Sequence, residues 1–301
     1  MGIHGSGASV AGGSDYRAGS AAAVAALFAG ATVWGLIWYP YRLIEAAGMS
    51  GLVATTLTYA VALLIGLIIF RRQLRGAVVD RWLVAIAIAS AGCNLGYVLA
   101  VLHGEVMRVL LLFYLAPLWT VLLARLLLDE RLTRAGLGVV VLSLAGAAVM
   151  LWHPETGLPW PRQGAEWLGL AAGFLFALSN VLIRRADHYG IALKSLAVFA
   201  GIVVIGMLGI VAVEPMTMPA ISGGGWALLL AVGLVLLVIN PVVQYGLTRV
   251  AAGRAIVIFL FELVVAAFAS WWLAGETMGA REWLGGGLIV AASLFSAKLE
   301  N

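Results

Sequence analysis

Of the chain's 301 residues, 63% belong to the apolar set (Ala, Val, Ile, Leu, Met, Phe, Trp, Tyr, Cys) and only 11% are charged, against roughly 25% charged in a soluble domain. At a mean hydropathy of +1.06 a fold of this size cannot hide its apolar surface from water, so most of that surface faces lipid. Ten apolar stretches at about 20 residues each take up about 200 residues, which leaves no room for a soluble catalytic domain, and the net charge of +4 sits in short loops, where it reads as an orientation signal and not as a nucleic-acid footprint.

Residues 1–20 are small and polar, and are expected to form a disordered cytoplasmic tail. They lack a basic segment followed by an apolar core, so they do not read as a cleavable signal peptide. Met1-Gly2 with Ser6 fits the myristoylation pattern, although an acyl chain adds little to a protein already held by many spans. The predicted spans are 21–41, 52–70, 82–102, 107–125, 135–152, 165–183, 193–213, 225–247, 254–274 and 282–298. Each is long and apolar, and in lipid only a helix or a closed barrel satisfies its own backbone. The alternating period of a barrel is absent. The expected fold is therefore an all-α integral membrane protein with ten transmembrane helices.

Loop charge predicts the orientation. With the N-terminus in the cytoplasm, the inner side receives Arg17, Arg71, Arg72, Arg75, Arg81, Arg125, Arg131, Arg134, Arg184, Arg185, Lys194, Arg249, Arg254 and Lys298, and the outer side only Arg42, Arg108, Arg162 and Arg281. That bias predicts both termini inside. Trp82, Trp152, Trp160, Trp167, Trp226, Trp271, Trp272 and Trp283 fall near span ends, where an indole can be half wet. Trp34 and Trp119 lie deeper.

Residues 94–130 align with 240–276 without a gap at an offset of 146, matching Asn94 with Asn240, Arg108 with Arg254, Phe113 with Phe259 and Glu130 with Glu276. Arg42 and Arg184 correspond in the same way, after Trp34-Gly35 and Phe176-Ala177. The repeat divides the chain into a first five-helix unit at 21–152, a periplasmic connection at 153–164 and a second five-helix unit at 165–298. Five crossings per unit place the second copy upside down relative to the first. Inverted repeats of this kind build many secondary transporters, whose two halves exchange conformations around a midplane site.

Polar groups inside the spans are the candidate site. Glu262 stands near the centre of the ninth span, where an ionisable group normally faces a cavity or a neighbouring helix. It can carry protons, meet a substrate amine, or simply bond a neighbouring helix. Arg254 lies about 12 Å along the same helix, at 1.5 Å per residue, too far for a direct pair. Asn94 and Tyr97 share one face of the third span, opposite Gly92 and Gly96, whose small-xxx-small spacing admits a packed neighbour. Asn240 and Gln244 stack in the eighth span beside Pro241 and Tyr245, and Pro241 is expected to kink that helix. Gly169, Gly173, Phe176 and Asn180 form one stripe of the sixth span, and Trp34, Trp38 and Tyr41 one stripe of the first. These faces pair off across the repeat, as a shared cavity requires, and aromatic rings with amides suit a small amphipathic zwitterion.

Other chemistries lack their residues. Lys194 and Lys298 are the only lysines and neither sits in a P-loop frame. His4, His103, His153 and His188 lie in loops or at span ends, so no intramembrane base serves a nucleophile. A single cysteine, Cys93, excludes an intrachain disulfide and a CxxC site. No catalytic residue, metal or cofactor is expected. The expected partners are a small-molecule substrate and the lipid bilayer, with no nucleic acid and a monomeric state.

Ten spans in two units, each ending in helix–Glu–short loop–helix at Leu128-Asp129-Glu130-Arg131-Leu132-Thr133 and Ala274-Gly275-Glu276-Thr277, resemble the drug/metabolite transporter superfamily with its EamA repeats. Within it, Tyr114-Leu115-Ala116-Pro117 and the region around Asn180 look most like its bacterial amino-acid exporters. The resemblance implies export of amino acids, aromatic ones included, across the inner membrane, with Tyr114 among the cavity-lining residues and Pro117 and Pro241 at gating or kink positions. One departure is Leu263, beside Glu262, where the family pattern has a proline. From the residues alone, another metabolite, a drug-like cation or a non-transporting scaffold or membrane enzyme stays open.

Overall fold

The computed structural model describes residues 9–75, 78–104, 106–151, 160–213, 221–273 and 279–298. These form twelve helical segments: α1 (Ser9–Ala46), α2 (Gly51–Ile69), α3 (Arg81–His103), α4 (Val106–Phe113), α5 (Ala116–Leu128), α6 (Arg134–Leu151), α7 (Gly164–Arg185), α8 (Ile191–Val213), α9 (Gly223–Arg249), α10 (Ala252–Phe259), α11 (Phe261–Leu273) and α12 (Ala280–Lys298). Nine stretches are long and apolar enough to cross a membrane, with α4–α5 and α10–α11 each counting as one, and α12 contributes a shorter apolar run, Trp283–Ser296. The chain is a multi-pass, all-helical membrane protein. Met1, Gly2, Ser6, Trp152, His153 and Glu276 lie outside the described residues.

Two expectations change. Where an unstructured tail to residue 20 was expected, α1 already starts at Ser9; the Ala-rich run after Ser20 extends the same helix backward. The fourth and ninth spans are each broken in two instead of continuous. In the first unit the cause is Pro117, in the first turn of α5: it has no N–H to donate and its ring would strike the carbonyl of Phe113, the last residue of α4. In the second unit Leu263 stands at the position equivalent to Pro117, yet the helix still breaks at Leu260. There the break coincides with a close approach of α1, since a Cβ on Gly35 would lie 2.7 Å from the Glu262 carbonyl oxygen. Pro241 lies inside α9, which continues through it, whereas Pro117 stands at the start of a new helix.

The two units share one architecture. α4 and α10 are eight residues each and begin 146 positions apart, so the sequence repeat is also a structural one. Neighbours exchange in the same way. α7 packs on α3, α4 and α5, while α1 packs on α9, α10 and α11; α3 meets α8 as α9 meets α2; α6 and α12 pack on each other. Small residues permit these approaches. A Cβ on Gly173 would sit 2.4 Å from the Phe113 carbonyl oxygen, and one on Gly201 2.2 Å from that of Ala87, distances no side chain tolerates. Gly92 and Gly96 face Leu175 and Ala172 of α7, the packed face expected of them.

Candidate functional site

The two helix breaks meet in the interior. Phe113 ends α4 and Phe259 ends α10, and each carries a ring partner from the first helix of the opposite unit. Phe113 lies 5.6 Å from Phe176 of α7, and Phe259 lies 6.3 Å from Trp34 of α1. Phe176 and Phe259, 5.8 Å apart, join the two pairs across the pseudo-twofold. Tyr97 of α3, at 5.1 Å from Phe113, and Tyr114, at 5.3 Å, complete the cluster. Such spacings are those of favourable edge-on and tilted aromatic pairs.

Glu262 lies in the first turn of α11, where the free N–H groups of a helix start favour negative charge. Its Oε1 accepts from the Tyr114 hydroxyl at 3.3 Å, so the polar group of one break bonds that of the other. Among the described residues no basic side chain pairs with Glu262. The Arg254 Nε instead donates to the Ser296 carbonyl in α12 at 2.9 Å.

The remaining sequence candidates separate into groups. Trp34, Tyr97, Tyr114, Phe176 and Glu262 come together. Trp38 packs on Tyr39, and the Tyr41 hydroxyl bonds Thr58 Oγ1 of α2 at 2.6 Å, away from the ring cluster. The Asn94 amide turns back to the Ser90 carbonyl of its own helix at 3.0 Å. Gly169 and Gly173, included in the stripe, are packing positions against α4. Asn180, Asn240 and Gln244 are buried; Gln244 Nε2 donates to Asn240 Oδ1 at 3.4 Å, whereas Asn180 Nδ2 and Gln244 Oε1 have no partner. A buried amide atom without a bond is unusual and costs roughly 1–3 kcal/mol. Tyr245 lies nearer the helix ends, with the Arg249 guanidinium 3.9 Å over its ring.

One turn beyond Asn180 and Gln244 is a second polar assembly, none of which the sequence singled out as a site. The turn after α5 passes through Asp129 at φ 56°, a left-handed position that Asp tolerates better than most residues. This directs Glu130 across to the second unit. Arg184 Nε of α7 donates to Glu130 Oε1, and the backbone N–H of Ala252, at the start of α10, donates to Oε2 at 3.0 Å. Arg184 Nη1 also donates to the Thr248 carbonyl at 3.3 Å. Lys194, counted from sequence as a loop charge, is instead fully buried, with Nζ donating to Thr248 Oγ1 at 2.7 Å and to the Ile183 carbonyl at 3.0 Å. Arg185 donates to the Leu127 carbonyl and lies 5.2 Å from the Trp82 ring. The advance signals were the equal spacing of Glu130 and Glu276 from the aligned phenylalanines, the shared helix–Glu–loop–helix ending and the correspondence of Arg42 with Arg184.

Repeated helical units, breaks at equivalent positions and an interior cluster carrying one carboxyl match the build of inverted-repeat transporters. The profile of the EamA-like transporter family matches residues 21–152 and again 163–297. The chain belongs to that family. It is 26% identical over 218 residues to an uncharacterized transporter of Archaeoglobus fulgidus, an alignment covering 72% of this chain and 76% of that one. A solved crystal structure of a protein 19% identical superposes with a TM-score of 0.72, covering 91% of this chain and 96% of the other; at that identity it speaks for the fold alone.

Proposed function

We propose that this transporter exports amino acids, aromatic and other neutral ones included, across the bacterial cytoplasmic membrane by alternating access, with both termini in the cytoplasm. The observation that carries the reading is the meeting of the two helix breaks, where an aromatic cluster from both units encloses Glu262 and Tyr114. Rings take an apolar side chain, and the carboxyl with the buried amides of Asn180, Asn240 and Gln244 takes the polar end of a zwitterion. The loop-charge bias supports the orientation. No covalent chemistry is needed: the protein's task is to bind the same solute from alternate sides. Asn94, Trp38, Tyr41 and Tyr245 belong to the route on this reading as outer residues, at other levels than the ring cluster.

A second reading has a specific observation behind it. Among the described residues Glu262 has no basic partner, so a drug-like or metabolite cation fits the same site without any group for a carboxylate. Counterflow in liposomes holding only this protein separates the two. Saturable exchange of labelled neutral amino acids is the expected result. Exchange of organic cations with no amino-acid flux establishes the second reading, and no saturable flux of either class removes both.

A further inference from the structure

We infer that the pocket bounded by the ends of α3, α5, α7 and α9 is a loading vestibule for a carboxylate-bearing solute, and that the solute's carboxylate opens the route by taking Arg184 from Glu130. The inference rests on the transport reading above but concerns a different place in the molecule. The pocket has a volume of about 580 Å³, and its lining includes Trp82, Glu130, Arg184, Arg185, Asp187 and Thr248. The groove is open and mostly polar, fitting a place of first encounter more than a tight binding site, and its lining offers both charges and one large ring, the complement of an aromatic zwitterion.

The lock is a bond between units. Glu130 belongs to the first unit, while Arg184 and Ala252 belong to the second, so the pair must part if that end is to open. Guanidinium binds carboxylates through a planar fork, and only two of the five Arg184 N–H donors are used, on Glu130 and Thr248. A second carboxylate arriving in the pocket therefore competes for the same group. Beyond the lock lie polar groups ready for a ligand. Asn180 is one helical turn inward of Arg184 and Gln244 one turn inward of Thr248; they are 7% and 2% exposed, and Asn180 Nδ2 and Gln244 Oε1 are unpartnered. An unfilled donor and acceptor directly behind a charged closure mark the next station of a polar solute.

The test uses the full-length protein in liposomes, with Cys93→Ser and a single Asn180→Cys, labelled by a membrane-impermeant thiol reagent from the Arg184 side. Labelling is expected to be slow alone. It should rise at least about threefold with L-phenylalanine or 3-phenylpropionate, and stay unchanged with 2-phenylethylamine or inorganic phosphate. Adding Glu130→Gln should give the fast rate with no ligand. Equal labelling with and without the carboxylates overturns the inference, as does an equal response to the amine. A matching response to phosphate assigns the pocket to anions in general and overturns the carboxylate assignment. The ligand arms need no lock variant, so misfolding of Glu130→Gln cannot decide the matter. Labelling that responds without counterflow removes the transport reading alone, and counterflow with unresponsive labelling removes this one alone.

Discussion

The interior cluster and the charged assembly at the end of α5 occupy the same bundle and are built on opposite terms. At the breaks, aromatic rings surround one carboxyl that has a single protein hydrogen bond, from Tyr114, and unpartnered amide atoms lie within reach of the same helices. At the end, Glu130 has both oxygens bonded and Lys194 two acceptors. Bonded charges hold a conformation; unbonded polar atoms in a low-dielectric interior await a partner. On the proposed reading the contrast separates an interior region that holds solute from an end whose bonded charges stay closed until a competing carboxylate arrives.

The harshest way to break the comparison is to spoil the approach that brings the breaks together. Gly173→Leu forces a side chain into the Phe113 carbonyl, 2.4 Å from its Cβ. Overpacking of this kind costs about 1–3 kcal/mol, and the variant is expected to lose thermal stability and all flux. A thermal-shift and counterflow measurement checks both; normal melting with normal flux would mean that α4 and α7 are not held as described.

Glu262→Gln keeps shape and one hydrogen bond but cannot ionise. Hydrogen bonds to charged groups are worth about 1.5–3 kcal/mol, so a substrate's protonated amine should lose at least about tenfold in apparent affinity. Any pH dependence that comes from Glu262 should vanish with it. A wild-type pH profile and substrate ranking would leave Glu262 as a structural residue bonded to Tyr114.

A smaller effect is expected at the shut end. Lys194→Met removes two donors from Thr248 and Ile183 while filling the space, and should cost about 1 kcal/mol of stability with the substrate ranking unchanged. Altered ranking in competition assays would show that Lys194 itself meets the solute and is not only a strut of the closed end.

The smallest effect is expected for Cys93→Ser. Cys93 is buried in the cluster with Leu111, Tyr114 and Leu263 and no described hydrogen bond depends on it, so stability should fall by no more than about 1 kcal/mol and flux should stay near wild type. A strong loss of transport would place the thiol in the route itself.

The apolar helices and the repeat were legible in the sequence because lipid demands long apolar helices and a gapless offset survives in linear order. Glu262 stood out for the same reason, as an ionisable residue in an apolar run. The Gly92 and Gly96 face was also readable, since helical spacing alone places both on one side. The break at Pro117 had a chemical mark that the continuous-span reading passed over. The break at Leu260 has no proline at the equivalent position, and it coincides with α1 pressing Gly35 onto the Glu262 carbonyl. Tertiary structure also decided that Tyr41 bonds α2, that Asn94 turns onto its own backbone, and that Lys194 is buried. Above all it decided that Glu130 bonds Arg184, 54 residues away, and the start of α10. Hydropathy and periodicity describe which way a helix face points; which faces meet across distant segments is set by packing between units, and no local pattern records it.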